Sequence, residues 1–301
     1  MRIKVLLLIL AVVAVTYSCN SKNQSNNDFE VPDSVMVNGE LSFQEETMGV
    51  IIENLASPVE VAAMMMDLGI PYSDGLLTNT KDTDNLNTNF QRALVLGYLS
   101  ADLGYLNIYE KTTPIIDYIS SIKSLTDVLK VGQFYDFTLL KRLSEQRHDL
   151  DSLMYISVRS FNQMNSYLET TQRGHISTLV ITGLWLEGMY LASQLALEYP
   201  SKELHESIGE QKIIMEDLFM VLEYYKETPR FPELIEQFER LKNEFEPVEI
   251  SYEAGEPEMV EDENGMLVVQ QTETSIVKIS DEDLAKIMKR TSEIRNHFLN
   301  L

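Results

Sequence analysis

The sequence predicts a mainly α fold: a multi-helix bundle or α-α superhelical array with a pseudo-repeat and one inserted β-hairpin. Three observations carry that expectation. Apolar residues recur at helical spacing along most of the 301-residue chain. Two long segments, 90–109 and 175–199, are apolar almost all round, and helices of that kind must be covered on most sides. One stretch, 248–279, breaks the helical pattern with β-branched alternation around Asn264-Gly265, a hairpin signal.

Taken in order, the chain opens with Arg2 and Lys4, a short positive region, followed by an apolar run over 5–15. That run is too short to span a bilayer and suits a signal peptide. Thr16-Tyr17-Ser18-Cys19 then has the form of a lipobox, with Thr16 where an aliphatic residue is usual. Residues 1–18 are thus expected to be a lipoprotein signal peptide, and 19–40 the lipidated Cys19 with a flexible tether rich in Ser, Asn and Gln. At about 0.8 kcal/mol per buried methylene, several acyl chains on Cys19 would anchor durably where one would not. Cys19 is the only cysteine, so its lipidation leaves no thiol for a disulfide, a zinc-thiolate site or a nucleophile. The most apolar later stretch, 174–186, stops at Glu187 and falls short of the roughly 20 residues of a span.

Residues 41–301 are read as a single helical domain. Ser57-Pro58 opens a helix through Met64, Met65 and Met66 that ends at Gly69 and Pro71, and 72–87 is a polar loop. From there one programme runs twice, over about 89–170 and 175–301. Each pass begins with an apolar helix and continues with an amphipathic one. Thr113-Pro114 opens the amphipathic helix of the first pass; in the second it follows Pro200-Ser201. A third helix follows in each pass, from about Phe134 and from Phe231-Pro232. The fourth helices open at Asp149 or Asp151 and at Ser280, and the hairpin enters before the last. Asp102-Leu103-Gly104-Tyr105-Leu106 aligns with Glu187-Gly188-Met189-Tyr190-Leu191, and Gly97 lies near the counterpart of Gly183. Those glycines would let two central helices approach closely.

Asp102 and Glu187 are the best candidates for chemistry, each an acid within an apolar helix at a matching position. Two readings are open. Facing carboxyls with raised pKa values would suit acid-base work or cation binding. Alternatively each fills a polar seam, hydrogen-bonded by Tyr105, Tyr190, Arg92 or Arg173. Trp185, with Tyr105 and Tyr190, invites a glycan-stacking hypothesis, against the plainer reading of core aromatics. His148, His175, His205 and His297 show no helical metal spacing. Asp82 to Asn87 matches a calcium loop only faintly, because Leu86 takes a ligand position and the glycine is missing. No cofactor, no metal and no catalytic motif is expected. The net charge of −23 argues against nucleic acid, and the acid-rich region from Glu227 to Glu263 is either a solvated face or a surface for a basic partner or divalent cation.

The lipobox, the polar tether and the two motifs Ala93 to Tyr105 and Thr182 to Tyr190 together resemble uncharacterised helical lipoproteins of Bacteroidetes-type bacteria. The resemblance implies an all-helical domain lipid-anchored in the cell envelope, at the periplasmic or surface face of the outer membrane. It implies no activity. The expected function is non-catalytic: binding a protein partner in the envelope or scaffolding an assembly. The alternative is a binding protein for a small ligand, glycan or divalent cation at a seam between the central helices.

Overall fold

A computed structural model describes residue 51 and residues 64–145, 150–255, 258–261, 267–270 and 273–300. The signal peptide, Cys19, the tether, Ser57-Pro58, His148-Asp149 and the acidic tip with Asn264-Gly265 lie outside the described residues. Among those described, the chain is mainly helical with one inserted β-ribbon, as its periodicity predicts. The first pass is α1 (Asn89–Ile108), α2 (Thr112–Val128), α3 (Phe137–Glu145) and α4 (Leu150–Thr170). The second is α5 (Gly174–Glu198), α6 (Lys202–Tyr224), α7 (Phe231–Phe245) and α8 (Asp281–Leu299). Between α7 and α8 lie β1 (Glu249–Ala254), β2 (Glu258–Glu261), β3 (Leu267–Gln270) and β4 (Glu273–Lys278).

Local chemistry sets the helix ends. Thr88 and Gln91 form a capping box at the start of α1, each side chain bonding the other's backbone N–H. Ser201 caps α6 and Ser280 caps α8 through the N–H of Leu204 and of Asp283. Thr113-Pro114 does not cap α2, which begins one residue earlier at Thr112 behind an uncapped Lys111. Three helices stop by the same device. Glu110, Lys130 and Gln172 take left-handed φ values of 52°, 58° and 57°, and the following N–H reaches back to Leu106, Thr126 and Leu168. The helix before them ends the same way at Gly69, with Met65 buried and Met66 exposed, so only part of the Met64-Met65-Met66 run serves the core.

Successive helices pack on one another within each pass, and α1 and α5 form the central pair. Their contact is set by Gly97 and Gly183. A Cβ on Gly97 would overlap the carbonyl oxygen of Val180, and one on Gly183 would overlap that of Leu94. The two backbones therefore touch where either glycine lacks a side chain. Helix α8 packs on both central helices and α4 packs on α5. Helix α5 runs through Glu187 to Glu198, as the apolar segment 175–199 predicts, so by length and composition it could cross a membrane. Most of its apolar surface is buried inside the protein, and burial rather than shortness marks it as a core helix.

The ribbon has a core base and an exposed stem. Strand β1 pairs antiparallel with β4, Ile250 opposite Val277, and β2 pairs with β3 beyond them. Val248 and Val277 are buried, and Val277 Cγ1 fills the space left by Gly209 on α6. Lys212 Nζ donates to the carbonyl of Val248 at 2.8 Å. The core thus needs both ends of the insertion, whereas 251–254 is exposed.

A methyl group at Gly97 or Gly183 tests the central contact. Gly97→Ala should gain about 1 kcal/mol of helix propensity yet lose more, for a net destabilisation of roughly 1–3 kcal/mol by urea unfolding. Gly75→Ala, which points into open space, should be near neutral. Equal stability of the two variants would contradict the close crossing.

Candidate functional site

The crossing at Gly97 and Gly183 carries Asp102 and Glu187 into the same interior region, each with no exposed surface. Two buried carboxyls demand compensation, since an unpaired buried charge costs several kcal/mol. Helix α8 supplies it. Arg295, itself buried, grips Glu187 with both arms of its guanidinium: Nε donates to Oε2 and Nη2 to Oε1, both at 2.8 Å. Its flat face lies over the Tyr190 ring, 4.3 Å from the centroid.

The fourth contributor is the loop before α1. Thr78, buried within it, is bound at every polar atom. Its N–H donates to Asp102 Oδ2 at 2.9 Å, and its carbonyl accepts from the Tyr118 hydroxyl at 2.6 Å. Its hydroxyl donates to Glu187 Oε1 at 3.3 Å and accepts from Arg295 Nη2 at 3.1 Å. Nearby, the Tyr105 hydroxyl accepts from Ser73 N–H at 3.1 Å and Tyr109 donates to the Ile70 carbonyl at 3.0 Å. Tyr72 stacks on Tyr105.

Electrostatics distinguish the two acids. Burial, reinforced by Glu187, pushes the Asp102 carboxyl well above the usual carboxylate range. Burial also pushes Glu187 up, but the bonds and charge of Arg295 pull against it. Asp102 Oδ1 accepts no hydrogen bond, while the Asp102 carboxyl lies within hydrogen-bonding reach of Glu187. Burial and the facing carboxyl thus favour the protonated form of Asp102, while Arg295 favours the charged form of Glu187. Burial works against the Arg295 charge as well, and Glu187 outweighs it, so the guanidinium stays protonated. With Asp102 protonated the cluster is neutral: one cation, one anion and one protonated acid.

The residues singled out from the sequence divide accordingly. Asp102, Glu187 and Tyr190 meet in this cluster. Tyr105 turns instead to the backbone of Ser73. Trp185 is fully buried and donates Nε1–H to Gln211 at 3.0 Å, with Phe238 against its ring. The expected hydrogen-bonding partners of the acids are wrong. Arg92 bonds the Leu86 carbonyl and Arg173 the Leu129 carbonyl, and the acids are held by Arg295 and Thr78. A signal for Arg295 did exist. Leu284, Ile287, Met288, Thr291, Ile294 and Phe298 are the buried stripe of α8, and Arg295 stands on that stripe four residues after Thr291. Thr78 had no such signal, because a polar loop has no periodicity. Among the described residues no group of three or more His, Asp or Glu side chains is placed to hold a metal. The faint calcium loop forms a 3-10 turn, Thr80–Asn85, and the side chains of Asp82 and Asp84 lie outside the described residues.

Leucine at 187 would be tolerated if the carboxylate only filled a seam, but here it leaves Arg295 buried without its partner. Glu187→Leu and Arg295→Leu should each cost about 3–5 kcal/mol in urea unfolding, and the double variant should recover much of that loss. Purely additive losses would show that the pair is not coupled. The pH dependence follows from Asp102. Its folded pKa is raised, so the folded chain holds a proton that the unfolded chain releases near the ordinary value of about 3.9. Stability is full below that value and falls as pH rises through the folded pKa. Asp102→Asn should flatten that fall when melting is followed across pH.

No known protein family, no curated protein and no solved structure matches this chain.

Proposed function

We propose that this chain is a non-catalytic envelope lipoprotein, anchored through Cys19, that binds a protein partner or scaffolds an assembly. One observation carries the non-catalytic part. The two acids best suited to chemistry have no exposed surface, Glu187 is gripped by Arg295 and Thr78, and Asp102 is bound by the Thr78 N–H. Burial and the grip of an arginine support a structural rather than a catalytic role for these carboxyls. Trp185 and Tyr105 are likewise buried and offer no face on which a sugar could stack. The alternative reading, a ligand seated between the central helices, finds no exposed carboxyl at Asp102 or Glu187 to support it.

Support for the anchor comes from the lipobox at Ser18-Cys19, the polar tether and the likeness to Bacteroidetes-type lipoproteins. Helix α5 is committed to the core and does not supply the membrane attachment. Among the described residues, one accessible surface for a partner is the exposed stem of the ribbon, with Tyr252 standing open among acidic neighbours on a helical scaffold.

Two variants test the proposal. Cys19→Ala should abolish acyl labelling and move the protein out of the membrane fraction; retention in the pellet at high salt would contradict the anchor. Replacing 251–276 with a short Gly-Ser turn keeps Val248 and Val277 and should leave the melting curve unchanged. Cross-linking in the native envelope should then lose the partners captured by the full chain. Capture of the same partners by the trimmed chain would rule out the ribbon as their binding surface.

A further inference from the structure

The loop over residues 70–87 is clasped rather than woven into the fold. It contains two short 3-10 turns, Asp74–Leu76 and Thr80–Asn85, and Asp74, Gly75, Asn79, Lys81 and Asn85 are exposed. Its deepest hold on the core is Thr78, which is 1% exposed and is bound by side chains from α1, α2, α5 and α8, and single bonds at Ile70, Ser73, Thr80 and Leu86 flank it. Arg295 Nη2 also lies 3.5 Å from the Leu76 carbonyl. The clasp closes directly over Asp102, whose Oδ1 is fully buried and accepts no bond. A carboxyl oxygen in that position, beside a second carboxyl, is a binding site for a proton. With the proton present, Asp102 can donate to Glu187, and Arg295 balances the remaining charge. Without it, two anions face one cation in a site with no exposed surface, and water entering the site would relieve them.

We propose that Asp102 is a proton-operated latch: protonated, it leaves the enclosed Asp102–Glu187–Arg295 cluster neutral and the strap 70–87 closed, and loss of the proton leaves two facing anions that open the strap and the cluster to solvent. The groups facing this site are few. Helix α1 presents Tyr98 and Tyr105, α2 presents Tyr118, α5 presents Glu187 and Tyr190, α8 presents Arg295, and the strap itself brings Tyr72 and Asp74. Burial drives the Tyr98 and Tyr118 hydroxyls far up and keeps them neutral, and Arg295 stays charged. The carboxyl pair is thus the titrating element. The strap yields before the helices do, because α1 and α5 are locked at Gly97 and Gly183 while the strap has little backbone bonding of its own. The latch is independent of membrane anchoring, so its failure would leave the lipoprotein reading untouched.

Hydrogen exchange on the full chain tests it, with rates corrected at each pH for intrinsic exchange. As pH rises from the ordinary carboxylate range to about pH 9, protection of the Ser73 and Thr78 amides should fall at least about tenfold further than that of α5. Asp102→Asn keeps an acceptor for the Thr78 N–H and gives Glu187 a permanent donor, so its strap should stay protected across the range. A strap in the unsubstituted chain that is insensitive to pH, or that loses protection only in step with α5, would overturn the proposal. So would an Asp102→Asn strap that opens as the unsubstituted one does. Should Asp102→Asn fail to fold, the comparison of strap with α5 in the unsubstituted chain still decides.

Discussion

Backbone contact between α1 and α5 at Gly97 and Gly183 is the constraint on which the rest of the structure depends. Because neither residue has a side chain, the two helices meet backbone to backbone, and residues a turn further along each helix are forced into one small volume. Those residues are Asp102 and Glu187. Their enclosure creates an electrostatic debt that apolar neighbours cannot settle, and this draws in Arg295 from the last helix and Thr78 from the loop before the first. Four segments far apart in sequence are thereby tied at one point. A core of leucines would fill the same space, but it would give α8 and the strap no particular register.

The ion pair is not a simple gain in stability. Moving two charges out of water costs about as much as their attraction returns, and the benefit lies in how badly any other arrangement fares. Bidentate geometry, the Tyr190 ring beneath the guanidinium and the Thr78 hydroxyl together satisfy Glu187. Asp102 receives one donor for two oxygens, and that imbalance, with its burial, favours the protonated acid.

Much of the fold was legible in the sequence because helical periodicity is a local property. The two apolar helices, the glycines between them, the caps at Ser201 and Ser280 and the ribbon before the last helix are all written as spacing or as turn residues. Asp102 and Glu187 were legible as acids in apolar surroundings. Their partners were not recovered, for two different reasons. Arg295 stands on the buried stripe of α8, but pairing it with Glu187 requires the long-range packing of α8 on α5. Thr78 acts mainly through its backbone, which every residue carries, so no residue-type signal marks it. Similarly, Val248 and Val277 have ordinary strand character. Only the docking of the ribbon on Gly209 reveals that the ends of the insertion belong to the core.

The account as a whole stands on one buried proton shared by two carboxyls that the glycine contact forces together. Carbon-13 NMR of labelled side-chain carboxyls, with Asp102 assigned by its loss in Asp102→Asn, reads that proton directly. The account predicts that Asp102 remains protonated well above the range in which the exposed aspartates ionise, while Glu187 carries the negative charge against Arg295. An Asp102 signal that titrates together with the surface aspartates would contradict it.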